Sequence, residues 1–235
     1  MGMTATLRDV AVKRKGKTIL GPISCAIGGT GITVVMGPNG AGKTTLLKVL
    51  HGVERLSGGE VAWSVPDAEA RSAQSYVFQS PIMLRRSVRQ NLAYPLQLIK
   101  APKAEIAEKT AYWAARIGLA DALERSATRL SGGEKQKLAL GRALIRKPQV
   151  LFLDEPCANL DGSATREIET ILQDAHRAGT RIIMTTHDLG QSRRLASDVM
   201  FLLNGQLHAQ GPSETFFTSP ATPQTAAFLN GDIVE

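Results

Sequence analysis

The chain opens with three short apolar runs separated by turn residues. Residues 7–12, 18–27 and 32–36 are rich in β-branched and aliphatic side chains, with breaks at Lys15-Gly16 and Gly28-Gly29-Thr30-Gly31. Runs of that length bounded by glycine predict strands. Residues 44–51 then carry Leu46, Leu47, Val49 and Leu50 ahead of Gly52, a short buried helix with a glycine stop. Val61-Ala62-Trp63 and Ser75-Tyr76-Val77-Phe78 predict further strands. From about residue 80 the period changes to that of a helix. Ile106, Thr110, Trp113 and Ile117 follow Pro102 on one stripe that ends at Gly118. Ser131-Gly132-Gly133-Glu134 reads as a capping box whose helix runs through Leu138, Leu140, Ala143 and Leu144 and stops by Pro148. Strands return at 150–153 and 181–184, with a helix between them marked by Ile168, Ile171, Leu172 and Ala175. A last strand at 199–203 enters Asn204-Gly205, the signature of a type I′ hairpin.

This order predicts a β-rich start and first core segment at 1–79 and a helical insertion at 80–147. The second part of a parallel α/β core follows at 148–215, and a short tail at 216–235. A hydrophobic content of 43% with 21% charged residues over 235 positions suits a globular domain with a sizeable core. No apolar run approaches the roughly 18–20 residues that cross a bilayer. The first residues, Met1 to Thr6, lack the basic and apolar regions of a secretory signal. Cys25 and Cys157 stand alone, without metal-ligand spacing, and read as two reduced thiols.

The net charge of +7 directs attention to nucleic acid or an anionic membrane surface. The basic residues are scattered, however, in short clusters at Lys13-Arg14-Lys15, Arg85-Arg86 and Arg146-Lys147. Aromatics are only 5% of the chain and do not interleave with them, so the pattern for stacking bases is missing. No nucleic-acid partner is expected.

Chemistry enters with Gly37-Pro38-Asn39-Gly40-Ala41-Gly42-Lys43-Thr44, followed by Thr45. This is a phosphate-binding loop placed between a predicted strand and a predicted helix, where its mechanism needs it. Glycines let successive backbone N–H groups converge on phosphate oxygens, and the helix N-terminus adds a favourable dipole. Lys43 is expected on the β- and γ-phosphates and Thr44 on Mg²⁺. The apolar run 150–153 delivers Asp154-Glu155 to the same end of a parallel sheet. Two adjacent carboxylates there divide the work, Asp154 for the metal and Glu155 for the attacking water.

Leu130-Ser131-Gly132-Gly133-Glu134-Lys135-Gln136, lying between the loop and the acidic pair, resembles the signature sequence of ABC ATPases. The resemblance runs from Leu7 to about Leu229. It implies a P-loop NTPase of ABC type, with a RecA-like parallel-sheet core, an N-terminal antiparallel β subdomain and an inserted helical subdomain. It also implies ATP and Mg²⁺ as cofactors. Ser131, Gly132 and Gly133 would serve the γ-phosphate bound on an opposing ATPase subunit, either a second copy of this chain in a homodimer or a different chain, and Asp161 in Ala158-Asn159-Leu160-Asp161 would cross that interface. Gln79 is placed like the glutamine that touches Mg²⁺ and water and senses the membrane partner. His187, in Thr185-Thr186-His187-Asp188, is placed like the switch histidine on the γ-phosphate. One departure stands out: the aromatic residue that stacks on adenine is missing from Lys13-Arg14-Lys15-Gly16. Arg14 or Lys15 is expected to cover the base as a cation–π partner instead.

The segment after Gln79 joins Ile82, Met83 and Leu84 to a rim of Arg85, Arg86 and Arg89, a composition suited to a partner groove. In the family this region receives the coupling helix of a transmembrane permease. Residues 77–96 and the ending Phe228-Leu229-Asn230-Gly231-Asp232 are similar to importer subunits for oxyanions such as tungstate, molybdate or phosphate. The expectation is a transport-coupled ATPase, peripheral on the cytoplasmic face of the inner membrane and served by an extracytoplasmic substrate-binding protein. A lipid or lipoprotein exporter subunit, and a soluble ABC ATPase acting on nucleic acid or ribosomes, are the alternatives.

Overall fold

The structure, a computed structural model, describes residues 2–232 and 234. Its elements begin with β1 (Ala5–Arg14), β2 (Lys17–Ile27), β3 (Ile32–Met36), α1 (Lys43–His51), β4 (Gly58–Trp63), α2 (Asp67–Ser72) and β5 (Gln74–Val77). Three helices follow, α3 (Val88–Leu98), α4 (Lys103–Arg116) and α5 (Gly132–Leu144). The chain then alternates through β6 (Val150–Asp154), α6 (Gly162–Arg177), β7 (Arg181–Thr185), α7 (Leu189–Leu195), β8 (Asp198–Leu203) and β9 (Gln206–Pro212). It closes with α8 (Ser213–Thr218) and α9 (Pro223–Asn230).

Among the described residues the strands form two sheets. One is antiparallel, in the order β2-β1-β4; the other has six strands in the order β5-β6-β7-β3-β8-β9, parallel except for β9. Every residue of β3, β6 and β7 is buried, as expected for parallel strands covered on both faces. Alternate residues serve two cores. Val34, Met36, Leu151, Leu153, Ile182 and Met184 face the helices α3 to α6. Val35, Phe152 and Ile183 face α1 and the antiparallel sheet. The second core is where Phe152, fully buried, meets the rings of His51, Trp63 and Tyr76 at 5.5, 6.3 and 6.2 Å.

The capping box at Ser131 and Glu134 forms as read, and a second one, Ser87 with Gln90, starts α3. Asn204 and Gly205 take φ of 50° and 77°, the paired positive values that a type I′ hairpin needs. Three expectations change. Strand β5 stops at Val77, so Phe78, 42% exposed, lies in the following loop. Helix α7 was not legible because seven residues give barely two turns of period. The segment 216–235, read as a mere tail, carries the end of α8 and the whole of α9, whose Phe228 and Leu229 pack on the main core.

Candidate functional site

Strand β3 runs buried to Met36 and delivers the glycine loop at the carboxyl end of the sheet. Gly37 has φ of 146°, and a Cβ there would lie 2.1 Å from the backbone oxygen of Leu202 in β8. Only glycine lets the loop leave between these strands. Gly37→Ala is therefore expected to lose at least the roughly 1–3 kcal/mol that a strained backbone position costs, and ATP binding with it. A thermal melt and a nucleotide titration measure both; an unshifted melt would show that the loop tolerates the methyl.

Gly42, at φ of 99°, caps α1. The next residue, Lys43, folds back over the loop, donating from Nζ to the carbonyls of Gly37 at 2.8 Å and Pro38 at 3.0 Å. Burial holds its ammonium pKa below the usual lysine range, against the opposing pull of Glu155 and Asp154. Thr44 Oγ1 donates to Asp154 Oδ1 at 2.9 Å. From the far side Thr185 Oγ1 donates to the same oxygen at 2.9 Å, and accepts from the Glu155 N–H at 2.9 Å. Thr185 thus holds the Asp154 carboxylate and the Glu155 backbone together. Sequence reading did not single it out, although it opens the Thr185-Thr186-His187 run.

Glu155 takes φ of 45° without being glycine, a strained setting of the kind found at functional sites. Its Oε2 accepts from Gln79 Nε2 at 3.2 Å and lies 3.4 Å from His187 Nδ1. The parallel register Asp154↔Thr185 between β6 and β7 sets the Glu155 and His187 loops side by side, while β5 brings Gln79 from the other flank. Residues 37–40 and 42–45, Gln79, Glu155 and His187 share one groove of ≈ 680 Å³, completed by Ile19, Ala158, Asn159 and Phe228. Ala41 and Asp154 are buried beneath it.

Other expected residues lie elsewhere. Ser131, Gly132 and Gly133 do not line this groove. Ser131 caps α5, its N–H donating to Glu134 Oε2 at 2.7 Å, and this bond, aided by Arg125, holds the Glu134 carboxyl below the usual carboxylate range. Asp161 is also outside the groove, as the cap of α6, accepting from Ala164 N at 2.8 Å. Arg14 and Lys15 do not reach it either. Arg14 is drawn into an ion pair with Glu54, and Lys15 sits exposed at a left-handed turn position, φ 50°.

Among the described residues no cluster of three or more His, Cys, Asp or Glu could hold a metal by itself. Thr44, Asp154 and Gln79 offer hard oxygens, too few for a protein cage. That set fits Mg²⁺, which keeps several waters and takes phosphate oxygens as ligands.

A glycine loop feeding β3 into α1 beside an acidic strand end makes this a P-loop nucleoside triphosphatase. The chain belongs to the ABC transporter family, whose profile matches residues 20–158, and it is an ATP-binding ATPase of that family. It is 37% identical to the tungstate uptake system ATP-binding protein TupC of Peptoclostridium acidaminophilum over 92% of this chain and 100% of that one. It is 34% identical to the phosphate import ATP-binding protein PstB 2 of Natronomonas pharaonis, covering 93% of this chain and 84% of that one. The sn-glycerol-3-phosphate import ATP-binding protein UgpC of Chromohalobacter salexigens is 36% identical, and there the chain spans 63% of the relative's length. The fold matches cbiO1 from Clostridium perfringens, part of the ABC transporter complex cbiONQ, with a TM-score of 0.83, 26% identity, and coverage of 93% and 92%. No described helix is long and apolar enough to cross a membrane.

Proposed function

We propose that this chain hydrolyses ATP to drive import of a small oxyanion such as tungstate, molybdate or phosphate through a partner permease. The observation that carries the direction and the cargo is the likeness to the tungstate uptake protein over that relative's whole length. Two copies, head to tail, would sandwich ATP between the glycine loop of one and Ser131, Gly132 and Gly133 of the other.

The residues divide the chemistry as follows. Backbone N–H groups of the loop and the α1 N-terminus receive the phosphates. Lys43 exchanges its bonds to the Gly37 and Pro38 carbonyls for β- and γ-phosphate oxygens. Thr44 and Asp154, with Gln79, would hold Mg²⁺, which would supply charge neutralisation. Glu155 accepts the proton of the attacking water, and His187, beside the same carboxylate, contacts the γ-phosphate.

Gln79 ties this centre to the surface, since the loop it opens is where a permease would bind. Phe78, Ile82 and Leu98 are 42%, 69% and 64% exposed there. They border a hollow of ≈ 350 Å³ whose lining includes Leu84, Tyr94, Arg142 and Arg146. Arg142 braces the loop by donating to Ile82 O at 2.7 Å and to Asn91 Oδ1 at 3.2 Å. Of the expected basic rim, Arg89 is paired with Glu124 and Arg86 lies 5.8 Å over the Tyr94 ring. Met83 turns inward to the core. The exposed apolar area of this surface is therefore carried by Phe78, Ile82 and Leu98.

The test is reconstitution with the permease in lipid vesicles and a substrate-binding protein from the same system. Binding protein loaded with tungstate, molybdate or phosphate is expected to stimulate ATP hydrolysis. Stimulation by trehalose or methionine, with none by the oxyanions, would overturn the assignment.

A further inference from the structure

We propose that Phe228, on the C-terminal helix α9, is a base-contacting residue of the nucleotide groove. The proposal rests on the ATP-binding reading of that groove and adds the wall that receives the purine. A triphosphate is satisfied by the loop amides, Lys43 and the hydroxyls, but a purine needs a flat apolar surface. Among the described lining residues Phe228 is the one Phe, Tyr or Trp, and Ile19 is the one large aliphatic side chain. The turn between β1 and β2 supplies no ring, and Arg14 is paired with Glu54.

The ring is held for such a role. Phe228 is half-buried, with its centroid 5.0 Å from that of Phe201 at a tilt of 40°. Phe201 is fully buried in β8 and stands in register with Met36, the residue before the loop. The ring is thus backed by the strand pair that positions the phosphate-binding glycines. The helix that carries it is also fixed. Thr222 caps α9 by accepting from Thr225 N at 3.1 Å, Thr225 is fully buried, and Gly231 closes the other end in a left-handed conformation. A ring packed behind and open towards a phosphate loop is a stacking platform, and stacking accepts any base because every base has a π-face. Phe228 therefore favours nucleotides over bare polyphosphate without choosing between ATP and GTP.

The experiment is equilibrium binding of ATP, GTP and inorganic tripolyphosphate to the full-length protein and its Phe228→Ala, Phe228→Tyr and Lys43→Ala variants. Phe228→Ala is expected to weaken ATP and GTP alike by about 5- to 150-fold, the range that loss of one stacking ring spans. Tripolyphosphate binding is expected to stay within twofold, and Phe228→Tyr to keep ATP affinity. ATP binding within twofold of wild type in Phe228→Ala overturns the proposal. So does an equal loss for ATP and tripolyphosphate, which would make the ring a support for the loop. Should Phe228→Ala fail to fold, Phe228→Trp carries the test. The added indole's fluorescence should change with ATP and not with tripolyphosphate, and a silent signal overturns the contact. Lys43→Ala binding all three ligands like wild type would instead sink the ATP reading of the groove itself.

Discussion

Glu155→Gln is expected to bind ATP like wild type, to hydrolyse it about 10²- to 10⁴-fold more slowly, and to remain dimeric while ATP is present. The rate loss is the range that removal of one positioned general base gives. The substitution suits the site because it changes charge and little else. Glutamine has the same length, its backbone N–H still reaches Thr185 Oγ1, and its amide oxygen still accepts from Gln79 Nε2, bonds now 2.9 and 3.2 Å long. Strain at φ 45° is the same for both residues. The loop and Lys43, which would hold the phosphates, are untouched. With no base to take the proton, the closed dimer has no hydrolytic route to opening. Phosphate release, nucleotide titration and sedimentation with ATP measure the three effects. Turnover within tenfold of wild type would remove Glu155 from the role of base.

Gly132→Asp separates the two halves of the proposed composite site. A Cβ at Gly132 meets no atom within 4 Å, so the monomer has room for the side chain. An acidic residue in the first turn of α5 also interacts favourably with the helix dipole. Gly132 is not part of the groove in its own chain, so ATP binding by the monomer is expected to stay within twofold of wild type. Closure is another matter. It would set the new carboxylate against the γ-phosphate of the opposing chain. Two unit charges about 4 Å apart near a protein surface repel by about 4 kcal/mol, roughly a thousandfold in the closing equilibrium for each of the two sites. ATP-driven dimerisation and turnover are expected to fall by at least the single-site factor of about a thousand.

Mixing adds a sharper test. A Gly132→Asp chain paired with a Lys43→Ala chain has one site made of an intact loop and an intact signature. Partial recovery of turnover on mixing is expected, and none would argue against a site shared between copies.

Much of this was legible in the sequence because the signals are local. The loop at 37–44 places its glycines, lysine and threonine within one turn of chain, between a β-branched run and a leucine-rich helix. The capping box at Ser131 needs only the bond between neighbours three apart. Asp154 and Glu155 are marked by four apolar residues before them, since a parallel strand buried on both faces has no polar positions until it ends.

The convergence of these pieces was not legible, because side-chain period gives a strand but not its neighbours. The sheet order β5-β6-β7-β3-β8-β9 brings Gln79, Glu155 and His187 from three separate strand ends to one oxygen. Thr185 acquires its double role only because β7 lies beside β6. Arg14 gains an ion pair with Glu54, forty residues away, that no local pattern announces. Phe228 looked like the end of a tail until α9 folded back onto Phe201. The sequence by itself determined which chemical groups this protein carries and the local geometry of its phosphate loop, through backbone conformations that few residue types allow. The tertiary structure decided which of those groups face one another, because only strand order and packing set distances between residues far apart along the chain.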